Sequence, residues 1–132
     1  MKFMLDTNTC IALMRGNPKV VARMEALSPD DCAVSVITAY ELFTGIAKCR
    51  EPARERAKVA RLLSGVRVLT YSSEAAKETA ALRADLEKTG RCIGPYDVLL
   101  AGHALSLGLC LATHNTGEFS RVSGLQFEDW QG

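Results

Sequence analysis

Four acidic residues are placed where carboxylate chemistry could be assembled: Asp6, Glu41, Asp97 and Glu118. Asp6 ends a short apolar run, Phe3-Met4-Leu5, where polar residues begin. Asp97 precedes Leu100, Ala101, Ala104 and Leu105 at helical spacing, which puts it on the buried side of its helix. A carboxylate on such a face is costly without a partner, and its first-turn place beside the helix dipole offsets only about 1 kcal/mol. Glu41 shares a helix side with Thr38, Gly45 and Lys48, and Glu118 lies in a polar stretch after an apolar run. Each has a plainer reading alone: Asp6 as a helix cap, Asp97 bonded to backbone amides, Glu41 and Glu118 as surface side chains. Brought together they repel, by on the order of 4 kcal/mol for two carboxylates about 4 Å apart at an effective dielectric near 20. A hard divalent cation removes that cost, polarises a phosphoryl group and activates a water. The chemistry suited to such a cluster is metal-dependent phosphodiester hydrolysis.

Positioning these groups requires a particular set of elements. The apolar runs Phe3–Leu5, Ala33–Val36, Val66–Leu69 and Leu109–Thr113 are strand-length and nearly continuous, and Leu125–Phe127 offers a fifth. Helical periodicity separates them: from Thr9 to Arg15, to about Leu27, from Thr38, from about Pro52, from Ser72-Ser73 to Lys88, and from Pro95 to about Ser106. Short buried strands alternating with helices predict an α/β fold, a three-layer sandwich around a short, mostly parallel sheet. In such sheets ligands bind beyond the carboxyl ends of the strands. Asp6 and the Thr113–Glu118 loop both follow strands there, Asp97 opens a helix at that edge, and Glu41 approaches from the helix after the second strand.

Composition sets the remaining bounds. The 132 residues fit one domain, 1–132. Formal net charge is +1, so any case for a nucleic-acid partner must be local. Between Lys48 and Arg67 seven basic residues face two acidic ones, and Lys48, Arg50, Arg54, Arg56, Lys58 and Arg61 are candidates to meet phosphates, a solvated helix face being the plainer reading. Five scattered cysteines, none at metal or redox spacing, read as small core residues of a reducing compartment. The opening apolar run is too short for a signal peptide or a membrane span, so a cytoplasmic protein is expected. His103 is expected to face away from the core, His114 to sit in a loop, and Trp130 to be a packing residue.

The motifs carry a resemblance to a known family. Asp6-Thr7-Asn8, Thr38-Ala39-Tyr40-Glu41-Leu42, Gly94-Pro95-Tyr96-Asp97-Val98-Leu99-Leu100-Ala101 and Ala112-Thr113-His114-Asn115-Thr116-Gly117-Glu118-Phe119 follow in order over nearly the whole chain. Together they resemble PIN-domain nucleases of the VapC toxin kind. The resemblance implies a magnesium- or manganese-dependent endoribonuclease toxin, a homodimer silenced by a cognate antitoxin. The Gly-Pro-aromatic-Asp motif and the ending Leu125-Gln126-Phe127-Glu128-Asp129-Trp130 resemble the branch that cleaves initiator tRNA in the anticodon loop. It also implies that Asp6, Glu41 and Asp97 hold metal and carry catalysis, that Glu118 takes the fourth acidic role, and that Thr7 and Thr113 orient the carboxylates. Asn115 stands where many members carry aspartate, so it could hold a water or a ligand, and the number of ions is left open.

Two other readings remain. A phosphatase would use Asp6 as its nucleophile, but such enzymes have a second aspartate two residues on, where this chain has Asn8. A module that binds RNA or an antitoxin without cleaving is the other, and Asn115 is the residue that favours it.

Overall fold

The computed structural model describes residues 1–132. Strands β1 (Phe3–Leu5), β2 (Cys32–Ser35), β3 (Arg67–Leu69), β4 (Cys110–Ala112) and β5 (Phe127–Glu128) form one sheet in the order β3-β2-β1-β4-β5. Every neighbouring pair is parallel. Between them lie α1 (Thr7–Met14), α2 (Pro18–Glu25), α3 (Val36–Lys48), α4 (Pro52–Ser64), α5 (Ser73–Lys88), α6 (Pro95–Leu107) and α7 (Thr116–Phe119), with a 3-10 turn at Pro29–Asp31.

The alternation of side chains along a strand sorts the core into two layers. Phe3 and Leu5 of β1 point to one face, where they meet Cys10 of α1, Val20 of α2, Leu42 and Ile46 of α3 and Val59 and Leu62 of α4. Met4 points to the other, among Ala101 and Ala104 of α6, Leu111, Phe119 and Val122. Helix α5 closes that second face by packing on α6, and the approach is close: a Cβ at Gly102 would lie 1.8 Å from Thr79 Oγ1 and 2.7 Å from Thr79 Cα. The three-layer α/β arrangement expected from the strand and helix spacing is therefore present, with a fully parallel sheet.

Several boundaries differ from the sequence expectation. Helix α3 starts at Val36 rather than Thr38, because Ser35, the last residue of β2, caps it, its Oγ accepting the Ile37 N–H at 3.1 Å. The last strand is Phe127–Glu128, shifted past Leu125, whose side chain is drawn into the second core instead. Residues 116–119 form a short helix where a loop was expected. His103, expected to face away from the core, is 1% exposed. Helix α6 is covered by the sheet on one side and α5 on the other, so Val98, Leu100, Ala101, Gly102, His103 and Ala104 are all buried, and its middle has no solvent face. Of the five cysteines only Cys10 and Cys32 are buried, while Cys92 is exposed just before α6.

The strand order supplies the site. From β1 the chain moves outward to β2 and β3, then crosses back to place β4 on the other side of β1. The order thus reverses between β1 and β4, and a crevice opens beyond their carboxyl ends.

Candidate active site at the carboxyl edge of the sheet

Asp6 is the first residue after β1 and caps α1. Its Oδ1 accepts the Thr9 N–H at 2.8 Å, and its own N–H donates to the Ala112 carbonyl of β4 at 3.0 Å. The Thr9 hydroxyl donates to the same carbonyl at 3.0 Å. These bonds hold Asp6 in the crevice with only 3% of its surface exposed. Burial raises its carboxyl above the ordinary value, and hydrogen bonds from Thr113 and Thr9 work against that rise.

Glu41 comes from the second turn of α3 and is half-buried. The Thr7 hydroxyl donates to Glu41 Oε1 at 2.7 Å and lies 3.3 Å from the hydroxyl of Thr38. Thr7 thus ties the first turn of α1 to α3 across the crevice.

Asp97, in the first turn of α6, lies against Glu118 from α7. Its carboxyl is pushed up to about 7, first by burial, then by the hydrogen bond and charge of Glu118, then by the charges of Asp6 and Glu41. Glu118 is shifted the other way, chiefly by its bond with Asp97 and further by the Gly94 N–H and the Asn115 amide. The two carboxyls therefore cannot both be charged without cost, because each lies in the field of the other. Gly94 N–H donates to Glu118 Oε1 at 2.9 Å, and the closeness depends on glycine: a Cβ there would stand 3.2 Å from Asp97 Oδ2 and 3.8 Å from Glu118 Oε1.

Asn115 Nδ2 donates to Glu118 Oε2 and reaches Asp97 Oδ2 at 3.4 Å, while its N–H donates to Thr113 Oγ1 at 3.0 Å. An aspartate here would add a further negative charge and no donor. The amide instead holds two carboxylates together, which gives Asn115 a different task from the one its position in the motif suggests.

All seven acidic and polar candidates, Asp6, Thr7, Glu41, Asp97, Thr113, Asn115 and Glu118, thus meet at one edge of the sheet. No three acidic, histidine or cysteine side chains close into a ready-made metal cage. The donors are nevertheless hard oxygens, and the Asp97 carboxyl is raised by burial and by the charges of Glu118, Asp6 and Glu41 around it. That donor set fits a hard divalent cation that keeps several of its waters, and it offers nothing to a thiophilic metal.

The remaining candidates lie elsewhere. Lys48, Arg50, Arg54, Arg56, Lys58 and Arg61 are exposed at the end of α3 and along α4, and none hydrogen-bonds to the carboxylates. Lys58 and Arg61 line a hollow with Leu13 and Met14, at the opposite end of α1 from Asp6. Arg54 pairs with Glu51 at 3.6 Å. His114 is exposed, as its loop position suggested, and its Nδ1 is 3.0 Å from Asp129 Oδ2. Trp130 is packed edge-on against Phe3, ring centroids 5.5 Å apart.

Two features near the site were missed in the sequence. His103 Nδ1 is 2.9 Å from Ser35 Oγ, so α6, which carries Asp97, is tied to the cap of α3, which carries Glu41. Its apolar neighbours at i−3, i+1 and i+2 were the available signal of a helix buried on all sides. The other is Arg15, seven residues after Asn8 on the same face of α1 and lining a polar hollow with it. That spacing was legible, but nothing in the sequence indicated that the face opens beside Asn115.

Comparison with known proteins agrees with this geometry. The profile of the PIN domain matches residues 3–125. A tRNA(fMet)-specific endonuclease VapC from Shigella flexneri is 42% identical over 130 residues, 98% of each chain. Ribonuclease VapC2 from Haemophilus influenzae is 37% identical over 131 residues, again 98% of each. Among solved structures, DNA-bound VapBC from Salmonella typhimurium superposes with a TM-score of 0.94 at 41% identity, covering 98% of both chains. VapBC-1 from nontypeable Haemophilus influenzae superposes at 0.90 with 34% identity over both whole chains. With this identity running the length of the fold and the acidic residues gathered at one crevice, the chain belongs to the PIN-domain family and to its VapC ribonucleases.

Proposed function

We propose that this protein is the toxin of a type II toxin–antitoxin pair, a divalent-metal-dependent endoribonuclease that cleaves initiator tRNA in its anticodon loop. The observation that carries the chemistry is the gathering of Asp6, Glu41, Asp97 and Glu118 at one crevice beyond the carboxyl ends of β1 and β4, each positioned by hydrogen bonds from neighbouring threonine, asparagine or backbone donors. The substrate is supported by the tRNA(fMet)-specific relative from Shigella flexneri, and the antitoxin by the VapBC complex from Salmonella typhimurium. A homodimer, a cytoplasmic location and magnesium or manganese as the ion belong to the same reading. No helix is long and apolar enough to cross a membrane.

In this reading Asp6, Glu41 and Asp97 hold the ion, with Glu118 beside them. The ion, when bound, polarises the scissile phosphoryl group and activates the attacking water. The chain's own residues set the geometry. Thr7 fixes the Glu41 carboxylate, Thr113 and the Thr9 amide fix Asp6, and Asn115 with the Gly94 amide fixes Glu118 against Asp97. Beside a bound cation, Asp97 would be held in its charged form and would act as an oxygen ligand. The basic side chains from Lys48 to Arg61 contribute long-range attraction for RNA.

The test is incubation of the purified protein with tRNA(fMet), with magnesium, with manganese and with chelator. Cleavage within the anticodon loop, abolished by chelator and by Asp6→Asn in a protein that still folds, is expected. If wild-type protein freed of any antitoxin leaves this tRNA intact with both metals, the proposed activity is wrong.

A further inference from the structure

We infer that the hollow along α1 between Asn8 and Arg15 is a binding subsite for the RNA backbone flanking the scissile phosphate. The hollow measures about 430 Å3. Its polar lining is Asn8 from α1 and Arg15 from the residue that caps its end, His114 and Asn115 from the loop after β4, and Gln131 near the chain end.

Three observations point there. First, the hollow is continuous with the carboxylate cluster. Asn115 lines it and also donates to Glu118 and Asp97, and Asn8 is two residues beyond Asp6. The hollows that hold the Lys58, Arg61 and Arg54 side chains contain no residue of the cluster. Second, no carboxylate lines it. It presents a guanidinium, an imidazole and the Asn8 and Gln131 amides, donors that suit phosphate and sugar oxygens, while the Asn115 amide is already engaged by Glu118 and Asp97. Arg15 forms no ion pair, and the nearby Asp129 is already engaged by His114 and by the Gln131 and Gly132 amides. Third, the direction is right. Asn8 and Arg15 lie two turns apart on one helix face, about 10 Å at 1.5 Å per residue, so a strand held at Asp6 and Asp97 is followed away from the cleavage point.

His114 adds a fixed contact. Its Nδ1 faces both Asp129 oxygens, at 3.1 and 3.0 Å, which leaves Nε2 for a ligand. The pairing with Asp129 holds the ring in place at the mouth of the hollow.

This inference rests on the ribonuclease reading, and the experiment separates the two. Cleavage and filter binding of tRNA(fMet) are measured for wild type, Arg15→Gln, His114→Ala and Lys77→Gln between about 50 and 200 mM salt. Lys77 is exposed on α5 and removes the same charge elsewhere. Arg15→Gln is expected to raise KM about fivefold, with the loss falling on KM rather than kcat. It should also lower the slope of log affinity against log salt by about 0.7 to 0.9, one phosphate contact. His114→Ala raises KM without that change in slope, and Lys77→Gln alters neither. Unchanged thermal melting of the Arg15 variant would establish that the loss is not one of folding. If wild type cleaves and Arg15→Gln matches it in KM and salt slope, the subsite is refuted while the activity stands. If Arg15→Gln weakens binding of the antitoxin but not of RNA, the hollow belongs to a protein partner and the inference is equally overturned. If wild type neither binds nor cleaves RNA, both readings fall.

Discussion

Replacing Asp97 by asparagine should stabilise the metal-free protein while removing its activity. With its carboxyl pushed up to about 7 from 3.8, Asp97 is ionised above neutral pH only against burial and the charges of Glu118, Asp6 and Glu41. Three pH units correspond to about 4 kcal/mol, but the side chain is half-exposed and water screens much of the repulsion, so about 1 to 2 kcal/mol is the reasonable share. Asparagine removes the charge and its Nδ2–H can still donate to Glu118. The sign with pH follows from linkage: the folded state holds the Asp97 proton more tightly than the unfolded state. Wild-type stability therefore has its full Asp97 contribution near pH 4 and loses it as pH rises towards 7. Thermal melts of wild type and Asp97→Asn in chelator should nearly coincide near pH 4 and separate by about 4 to 8 °C at pH 8, the variant melting higher. Taking the difference between the two proteins cancels other titrating groups. Added magnesium should reverse the order, because binding stabilises the wild type by about 2.7 kcal/mol at a hundredfold excess over Kd. A variant that melts below wild type in chelator at pH 8, or a gap that does not change with pH, would refute the account of Asp97.

Other changes test the frame around the site. Gly102→Ala forces a Cβ into Thr79, including its backbone, and should destabilise by about 2 to 3 kcal/mol through separation of α5 from α6, read by urea unfolding. Thr7→Val removes the 2.7 Å donor to Glu41; manganese affinity, measured calorimetrically, should fall about tenfold with little loss of stability. Burial holds the His103 imidazole below its usual pKa, against a hydrogen bond with the Thr70 backbone. Its contribution to stability is thus present above pH 6.5 and lost as pH falls below that value, and His103→Gln should flatten the fall of the unfolding free energy below pH 6.5 relative to wild type. Phe119→Ala empties a fully buried position in the second core layer and should cost about 3 to 5 kcal/mol in the same urea assay.

The sequence by itself determined the layered architecture and the edge at which chemistry sits. Short continuous apolar runs such as Phe3–Leu5 and Leu109–Thr113, alternating with helical periodicity, point to strands covered on both faces, and helices between neighbouring strands favour parallel pairing. Asp6 directly after such a run is fixed at a strand's carboxyl end by chain connectivity alone. The order of the strands, by contrast, depends on which helix covers which face, and only the tertiary structure put β4 beside β1 and so brought Thr113, Asn115 and Glu118 to Asp6. The same holds for His103: one helix face can be read from periodicity, but α6 is buried on two sides, and the second neighbour, α5, is invisible in its own pattern. Asn115 is the clearest case. As a residue type it looked like a missing ligand, and only the distances to Asp97 and Glu118 identify it as a donor shared by both side chains, because such sharing is a property of positions in space and not of spacing along the chain.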